Sequence, residues 1–217
     1  MPDLMVSYDE RDPTVNVINN EEILSHFYQH GWVVMPAFLP CVLNQLLLDE
    51  ACFDADLTPA GVGRANDFMV NRQIRRDKTH WFDAKSNAQQ DYLQIMRQLQ
   101  LQLNRQYFLG LFDFECHFSR YQHGDFYQKH FDAFSGRSNR VLTTVSYLNN
   151  IAVGGELVLY GPDDAILTRI TPQAGTLVLF ESERFAHEVL PAIDERYSIA
   201  GWFRHNNSIN GFIDPSR

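Results

Sequence analysis

Apolar residues in the first half of the chain recur mostly at helical spacing. Within residues 21–30, Ile23, Leu24 and Phe27 fall on one face of a helix, with polar residues between them. Gly31 follows directly, and glycine commonly ends a helix because it adopts a left-handed backbone conformation without steric cost. This pattern predicts a short amphipathic helix that ends just before the glycine.

Further helices and one strand are predicted before the middle of the chain. The apolar run of residues 32–35 predicts a short strand, and leucines at helical spacing within residues 42–53 predict a second helix. The sequence Ser86–Gln89 has the form of a capping box, and the helical pattern after it continues towards Tyr107. Residues 1–18 carry no comparable pattern, so we expect a loose lead-in there.

The pattern changes to short β-rich runs from Phe114 onwards, separated by turn-forming Gly, Pro and Asp residues. The predicted strands are residues 114–121, 142–148, 156–160, 166–170, 176–180, 185–190 and 198–203. Helices followed by many antiparallel strands favour an α+β fold whose strands form a double-sheet jelly roll. We therefore predict one domain over residues 1–217, with helical support in 20–110 and the jelly-roll core in 114–205.

The composition is that of an ordinary globular domain. The chain has 217 residues, of which 45% are hydrophobic and 21% are charged. A net charge of −9 leaves no excess of Lys and Arg for nucleic-acid phosphates, and the 3 cysteines form no metal-binding or disulfide pattern. The sequence shows neither a signal peptide nor an apolar run long enough for a membrane span. We expect a cytoplasmic protein that binds neither nucleic acid nor a membrane.

Candidate metal ligands lie in the β-rich half of the chain. In a strand, residues two apart face the same side, so His130 and Asp132 would project together while Phe131 faces away. His187 comes several strands later, and a jelly roll could bring it to His130 from the facing sheet. Two histidines and one carboxylate form the facial triad of non-haem Fe(II) oxygenases, but they also suit catalytic zinc. The ligands alone leave the metal open.

Arg196 opens an otherwise apolar strand soon after the last candidate ligand. A buried guanidinium group is costly unless it is paired, and its two parallel donors match a carboxylate. The arginine could anchor a dicarboxylate co-substrate whose other end chelates the metal. It could instead form a salt bridge with Glu188 or Asp194, and the spacing does not decide between these interpretations.

Several stretches also carry a family likeness. They are Arg120–Tyr121, Gly124–Asp132, Arg140–Asn149, Gly154–Leu157, Arg196–Ile199 with Trp202, and Ile74–Trp81. Together they resemble the 2-oxoglutarate oxygenase superfamily over roughly residues 30–205. Within it, the likeness is greatest to the prolyl hydroxylases of the hypoxia-inducible-factor type and their bacterial relatives. The resemblance implies a double-stranded β-helix fold, which is a jelly-roll variant.

The resemblance also implies a role for individual residues. Fe(II) would be held by His130, Asp132 and His187. The co-substrate 2-oxoglutarate would be bound through its distal carboxylate by Arg196 and Tyr147, with Tyr121 near its chelating end and Trp202 beside the metal. The protein substrate would meet Tyr127, Arg140, Asp77 and Arg75, and the segment from Asp67 to Lys78 would close over it.

The reaction implied is the hydroxylation of a prolyl residue in a protein by a prolyl 4-hydroxylase. It would consume 2-oxoglutarate and O₂, release succinate and CO₂, and be supported by ascorbate. A translation factor is one candidate substrate. Two alternatives stay open, namely a small-molecule hydroxylase that uses the same site and a non-catalytic sensor of metal or 2-oxoglutarate.

Each residue outside the triad also has a simpler interpretation. Tyr147 and Trp202 could be packing residues of the core. The basic positions Arg72, Arg75, Arg76 and Lys78 are most simply a solvated stretch, although they could steer an acidic substrate region. The remaining histidines have no evident ligand partners in the sequence, and we interpret them as surface or otherwise unassigned residues; they are His26, His30, His80, His117, His123 and His205.

Overall fold

The computed structural model describes residues 21–61, 71–133 and 139–206. The predicted lead-in of residues 1–18 and the beginning of the segment from Asp67 to Lys78 lie outside the described residues. The single-domain assignment over residues 1–217 therefore stays a prediction. The helices within the described ranges are α1 (Glu21–His30), α2 (Cys41–Asp49) and α3 (Asn87–Tyr107), and a π-helical turn at Glu50–Asp54 extends α2.

The strands form two antiparallel sheets. They are β1 (Trp32–Met35), β2 (Thr58–Pro59), β3 (Lys78–Trp81), β4 (Asp113–Tyr121), β5 (Tyr127–His130), β6 (Arg140–Tyr147), β7 (Leu157–Tyr160), β8 (Ile166–Ile170), β9 (Leu177–Glu181), β10 (His187–Val189) and β11 (Arg196–Arg204). The large sheet has the order β1-β9-β6-β11-β4-β3-β2, and the small sheet has the order β5-β10-β7-β8. This arrangement confirms the predicted α+β fold with a jelly-roll core.

Local signals in the sequence place the helix ends. Gly31 has a positive φ of 78°, and its N–H donates to the carbonyl of Phe27 at 2.7 Å, which ends α1. At the start of α3 the Ser86 hydroxyl accepts a hydrogen bond from the N–H of Gln89 at 3.0 Å. The capping box is only half formed, because the Gln89 side chain accepts from the N–H groups of Asp83 and Ala84 instead of returning to Ser86.

Alternation along the strands separates two apolar layers. On the outer face of the large sheet, Phe118 and Ile199 pack with buried residues of α2 and α3 such as Leu47 and Leu99. The opposite face meets the small sheet, and the residues buried there come from both sheets, for example Val145 and Leu159. The sites between the sheets therefore belong to the inward-facing residues of each strand.

Some elements differ from the sequence-based expectations. The predicted strand at 185–190 is shorter, at His187–Val189, and the structure adds β2 and β3 to the edge of the large sheet. The added strands are held by backbone pairing of β3 with β4 and of β2 with β3, which the hydropathy pattern does not reveal. No helix of the described residues is long and apolar enough to cross a membrane.

Candidate active site

A pocket opens between the two sheets. It encloses about 540 Å³, including the space at its mouth, and strands of both sheets contribute to it. The predicted site residues that line it are Arg75, Tyr121, Tyr127, His130, Asp132, Arg140, His187, Arg196 and Trp202. The other two, Tyr147 and Asp77, are buried, and each lies next to an arginine of this lining, Arg196 and Arg75 respectively. The fold therefore brings together residues that lie far apart in the sequence.

The candidate metal ligands meet at one place in the pocket. Ligand atoms of His130, Asp132 and His187 lie within 4.8 Å of one another, and no other such group occurs among the described residues. Nε2 of His130 is 3.4 Å from Oδ1 of Asp132, and Nε2 of His187 is 3.4 Å from Oδ2. Three donors converging in this way can bind one metal ion between them.

Strand pairing, rather than sheet stacking, brings the two histidines together. His130 ends β5, His187 begins β10, and the two are direct partners in the antiparallel register of the small sheet. The expectation that they come from facing sheets was wrong. Asp132 lies in a bend beyond the end of β5, so strand alternation does not explain its position. The bend turns its carboxylate back between the two rings.

Backbone carbonyls orient both imidazole rings. Nδ1 of His130 lies 2.7 Å from the carbonyl oxygen of Gln128, and Nδ1 of His187 lies 3.3 Å from that of Phe185. A carbonyl oxygen can only accept, so each Nδ1 carries the hydrogen and each Nε2 keeps its lone pair. Both lone pairs therefore belong to the nitrogen atoms that approach Asp132, as a metal site requires.

A hydroxyl group of the large sheet fixes the carboxylate. Thr143, on β6, donates to Oδ2 of Asp132 at 2.8 Å. The hydroxyl of Ser182, which is fully buried, lies 2.9 Å from the Thr143 hydroxyl and can donate to it in turn. Asp132 therefore joins the small sheet, through the histidines, to the large sheet, through Thr143.

The electrostatic environment favours the protonation states that a divalent ion needs. Burial lowers the pKa of His130, and the neighbouring His187 lowers it further. Burial by itself would raise the pKa of Asp132, but the two histidines beside it hold that pKa well below its ordinary value. Near neutral pH the group therefore offers a charged carboxylate and a neutral His130 ring.

Arg196 lies in the same pocket with its side chain buried, at 1% exposure. Its Cζ atom is 4.7 Å from the ring centre of Tyr121 and 5.1 Å from that of Tyr147. Nη1 donates to the hydroxyl of Ser198 at 3.2 Å. Nε of Arg196 and Oη of Tyr147 are buried and have no hydrogen-bond partner among the described residues.

The salt bridge considered for Arg196 is not observed. Within the described part of the chain, neither Glu188 nor Asp194 forms an ion pair with it, and Glu188 instead accepts a hydrogen bond from the Tyr160 hydroxyl. A buried guanidinium group without a carboxylate partner is costly, so this end of the pocket is suited to an anionic ligand.

Comparisons with known proteins agree with this geometry. A model of the 2OG-Fe(II) oxygenase superfamily matches residues 116–204, which include the triad and Arg196. The chain is also 36% identical to a prolyl-4-hydroxylase of Pseudomonas putida, with 86% of this chain and 98% of that chain covered and a TM-score of 0.75. The chain belongs to the 2OG-Fe(II) oxygenase superfamily. This membership confirms the resemblance noted in the sequence and makes the protein an oxygenase.

Other solved structures are similar to the oxygenase. A prolyl hydroxylase of Trichoplax adhaerens, in complex with a peptide of the hypoxia-inducible factor oxygen degradation domain, is 26% identical, with 90% and 95% of the chains covered and a TM-score of 0.74. A viral collagen prolyl hydroxylase from Paramecium Bursaria Chlorella virus-1 is 19% identical with a TM-score of 0.58, which indicates a shared fold. A comparison with curated proteins finds no match.

Fe(II) and 2-oxoglutarate are the metal and co-substrate that this family implies, and the pocket fits both. Two imidazole nitrogens and one carboxylate are the donor set of a facial iron site, so family membership decides the choice that the ligands left open between iron and zinc. The unpartnered Nε of Arg196 and Oη of Tyr147 fit a carboxylate group that accepts hydrogen bonds from both.

A guanidinium group and an indole ring form one wall of the pocket in the oxygenase. Arg140 lies with its Cζ atom 3.5 Å from the ring centre of Trp202. Its Nε and Nη2 atoms both donate to Oε1 of Glu115, at 2.9 and 2.8 Å. Trp202 is therefore a lining residue with a charged group stacked on it, rather than only a packing residue of the core.

A second arginine covers the triad from the side of β5. Arg75 forms a bidentate ion pair with the fully buried carboxylate of Asp77, at 2.8 and 2.6 Å. Its guanidinium group lies 4.3 Å from the ring centre of Tyr127, whose ring stacks on His130 at 3.6 Å. The interpretation of Arg75 as part of a solvated stretch was wrong, while Arg76 is exposed as expected.

Several residues that line the pocket were missed from the sequence, among them three polar ones on β4 and β6. His117 and Ser119 face the pocket from β4, and Thr143 faces it from β6. The signal was present in β4, where inward polar residues alternate with the outward apolar residues Cys116 and Phe118. Polar residues at every second position of a strand with an apolar opposite face indicate a lined cavity, and this pattern could have assigned His117 to the site.

Proposed function

We propose that the oxygenase hydroxylates a prolyl residue of a protein substrate, using Fe(II), 2-oxoglutarate and O₂ and releasing succinate and CO₂. The main observation in support of this reaction is that one pocket contains both the triad and Arg196, a buried arginine without a carboxylate partner among the described residues. The prolyl target is supported by the similarity to the Pseudomonas putida prolyl-4-hydroxylase over nearly the whole of both chains. A protein substrate is supported by the peptide complex of the Trichoplax adhaerens enzyme.

In this proposal His130, Asp132 and His187 would hold the iron through their converging ligand atoms. The bound iron supplies the activation of O₂ that the oxidation of a C–H bond requires. Thr143 keeps the Asp132 carboxylate between the two rings through its 2.8 Å hydrogen bond. The carbonyls that accept from the Nδ1 atoms keep both Nε2 atoms directed at the same place.

Arg196 and Tyr147 bind the distal carboxylate of 2-oxoglutarate in this proposal. The guanidinium group supplies charge-assisted hydrogen bonds, and Ser198 restricts its orientation from below. The ring of Tyr121 lies against Arg196, and we assign its hydroxyl to the chelating end of the co-substrate. Burial of these groups excludes water from the carboxylate, which strengthens each of these interactions.

The substrate enters at the other end of the pocket, where Arg75, Tyr127 and Arg140 are only partly buried and Trp202 is buried under Arg140. Tyr127, Arg140 and Trp202 form its walls, and Arg75 with Asp77 fixes the segment beside it. These groups hold the target residue next to the metal and exclude bulk water during the reaction. We include ascorbate in the proposal as the reductant that keeps the iron in its ferrous state.

The proposal is tested by supplying the purified enzyme with Fe(II), 2-oxoglutarate and ascorbate in a lysate of cells that lack its gene. Prolyl residues that gain one oxygen atom are then quantified by mass spectrometry. Asp132→Ala, which removes the carboxylate ligand, is the matched control. We expect hydroxyproline in a protein with the wild-type enzyme and none with the variant, and a translation factor is one candidate among the proteins to be inspected.

Other outcomes would point to the alternatives. Oxidation of small molecules in the lysate, with unchanged prolyl residues, would indicate a small-molecule hydroxylase. Binding of metal and 2-oxoglutarate without any formation of succinate would indicate a sensor. Hydroxyproline formed equally by Asp132→Ala would contradict the assignment of the metal site.

A further inference from the structure

Glu115 is a buried acidic residue beside the pocket whose role the proposed chemistry does not explain. It is 4% exposed and is not part of the pocket lining. Its Oε1 atom accepts both hydrogen bonds from Arg140, and Nη1 of Arg204 lies 3.6 Å from its Oε2 atom. Arg204 is itself held in a bidentate ion pair by Asp113, at 2.9 and 2.6 Å.

The position of Trp202 explains what the pairing of Glu115 with Arg140 does. In the register of the large sheet, Trp202 on β11 lies between Glu115 on β4 and Thr143 on β6. Arg140 begins β6 and has to cross the indole ring to reach Glu115. Its guanidinium group consequently rests 3.5 Å from the ring centre of Trp202, in the geometry of a cation–π contact.

We propose that Glu115 is a positioning residue that holds Arg140 flat on Trp202 and cancels its charge, so that the pocket mouth accepts an uncharged stretch of polypeptide. The inference rests on the proposed function only in treating this end of the pocket as the entrance for the substrate. Its substrate class is a proline flanked by neutral residues, rather than a proline in an acidic segment.

The other arginines of the pocket support this division. Arg75 is neutralised in the same way, by a bidentate pair with buried Asp77, while it lies over the ring of Tyr127. Arg196 has no such pair within the described residues. The co-substrate end of the pocket therefore attracts an anion through Arg196. At the mouth, the arginines stack on aromatic rings, and buried carboxylates neutralise their charges.

An acidic substrate side chain would have to compete with these internal carboxylates. Glu115 is already desolvated and accepts both donors in fixed geometry, whereas a substrate carboxylate would first lose its hydration. Arg140 therefore stays paired with Glu115 and does not bind a carboxylate of the substrate. Removal of the Glu115 charge should expose the positive charge of Arg140 beside Trp202, and this charge can be measured directly.

Quenching of tryptophan fluorescence measures the charge at Trp202 without any substrate. In a Trp32→Phe, Trp81→Phe background, the indole of Trp202 is the remaining fluorophore among the 3 tryptophans of the chain. The ratio of quenching by iodide to quenching by neutral acrylamide should rise roughly two- to fivefold in Glu115→Gln, because a unit charge at contact concentrates anions to that extent. Added salt should reduce the rise.

Two controls separate positioning from general damage to the fold. Glu115→Asp, which keeps the charge, should restore the ratio of the parent protein. Asp83→Asn, which breaks the exposed ion pair with Lys85 away from the pocket lining, should leave the ratio near the parent value. An unchanged iodide-to-acrylamide ratio in folded Glu115→Gln would overturn the proposal.

If Glu115→Gln does not fold, a second variant tests whether Glu115 neutralises Arg140 beside Trp202. Arg140→Met leaves the carboxylate without its main partner, so the iodide ratio should fall and quenching by the caesium cation should rise. The proposal fails if neither quencher responds to this variant. Because no turnover is involved, these results stand whether or not the enzyme acts on proline.

The functional consequence is a change of selectivity. With two peptides that differ only in having Ser or Asp beside the proline, the wild-type enzyme should favour the Ser peptide. Glu115→Gln should shift the ratio of kcat/KM values roughly tenfold towards the Asp peptide, mainly through KM, since a charge-assisted hydrogen bond contributes on that order. A loss of kcat for both peptides alike would indicate a merely structural role.

The two proposals can fail separately. If the enzyme hydroxylates no prolyl residue but the quenching ratio changes in Glu115→Gln, the proposed function is refuted and the role of Glu115 is not.

Discussion

Some buried polar atoms of the pocket have hydrogen-bond partners within the protein, and others do not. Arg75 and Arg140 each meet a buried carboxylate, whereas Nε of Arg196 and Oη of Tyr147 are buried without one among the described residues. An unpaired buried donor destabilises a fold, so a site of this kind is typical of a bound ligand that completes the pairing. The co-substrate assignment rests on this contrast between residues.

Substitution of Arg196 tests that assignment. Arg196→Ala should raise the 2-oxoglutarate concentration for half-maximal succinate formation at least about tenfold, because a charge-assisted pair contributes roughly 1.5–3 kcal/mol. Arg169→Ala, at an exposed arginine of β8, is the matched control and should behave like the wild type. An unchanged requirement for 2-oxoglutarate in Arg196→Ala would place the anchor elsewhere.

The hydrogen bond from Thr143 to Asp132 should contribute to the affinity for the metal ion. Thr143→Val keeps the shape of the side chain but removes the donor, and we expect metal affinity to fall roughly 10–100-fold, as for other groups that orient ligands. Titration with Mn(II), followed by electron paramagnetic resonance, measures this affinity. Thr144→Val is the control, since the neighbouring hydroxyl is buried without a partner among the described residues. Equal affinities of the two variants would refute the role of Thr143.

Among the elements, the strands contribute the residues of the site, and the helices pack against the large sheet from outside. β5 and β10 each contribute one histidine, and β4, β6 and β11 form the opposite side. Helix α3 packs on the outer face of the large sheet with Met96 and Leu99 fully buried. Its start is fixed by the Ser86 hydroxyl, which also donates to the Glu50 carboxylate at the end of α2.

Loss of this cap should destabilise the protein without changing the pocket. Ser86→Ala is expected to lower the free energy of unfolding by about 1 kcal/mol, which is typical for an N-cap serine. Urea denaturation followed by circular dichroism measures the change. Ser25→Ala, at an exposed position of α1, should stay within roughly 0.5 kcal/mol of the wild type. The same small effect at both positions would show that the cap of α3 contributes little.

Across the whole molecule, the two sheets enclose a titratable group that the chemistry does not use. Burial, together with the charge of nearby Arg75, lowers the pKa of His117 to about 4, although Asp77 acts in the opposite direction. The unfolded chain takes up a proton at this histidine near its ordinary pKa of about 6.5. The folded protein does so only near pH 4, so protonation favours the unfolded state.

The stability of the metal-free protein should therefore fall with decreasing pH. As pH drops from about 6.5 to about 4, the free energy of unfolding should decrease by up to about 3 kcal/mol through His117 alone. Urea denaturation at several pH values measures this slope. His117→Gln should remove the part of the slope that His117 causes and leave the part due to His130, whose pKa is also lowered, whereas His123→Gln, at an exposed histidine, should not reduce the slope. An identical pH dependence in the wild type and His117→Gln would contradict the pKa shift.

The sequence by itself determined the helices, most strands, the α+β class and the identity of the pocket residues already named in its motifs. These features depend on periodicity and on short motifs such as His130-x-Asp132, which are local properties of the chain. The tertiary structure alone decided that His130 and His187 are strand partners, that Arg196 has no internal carboxylate, and that Glu115 holds Arg140 on Trp202. Those facts follow from pairing between residues far apart in the chain, which local patterns of hydrophobic and polar residues do not reveal.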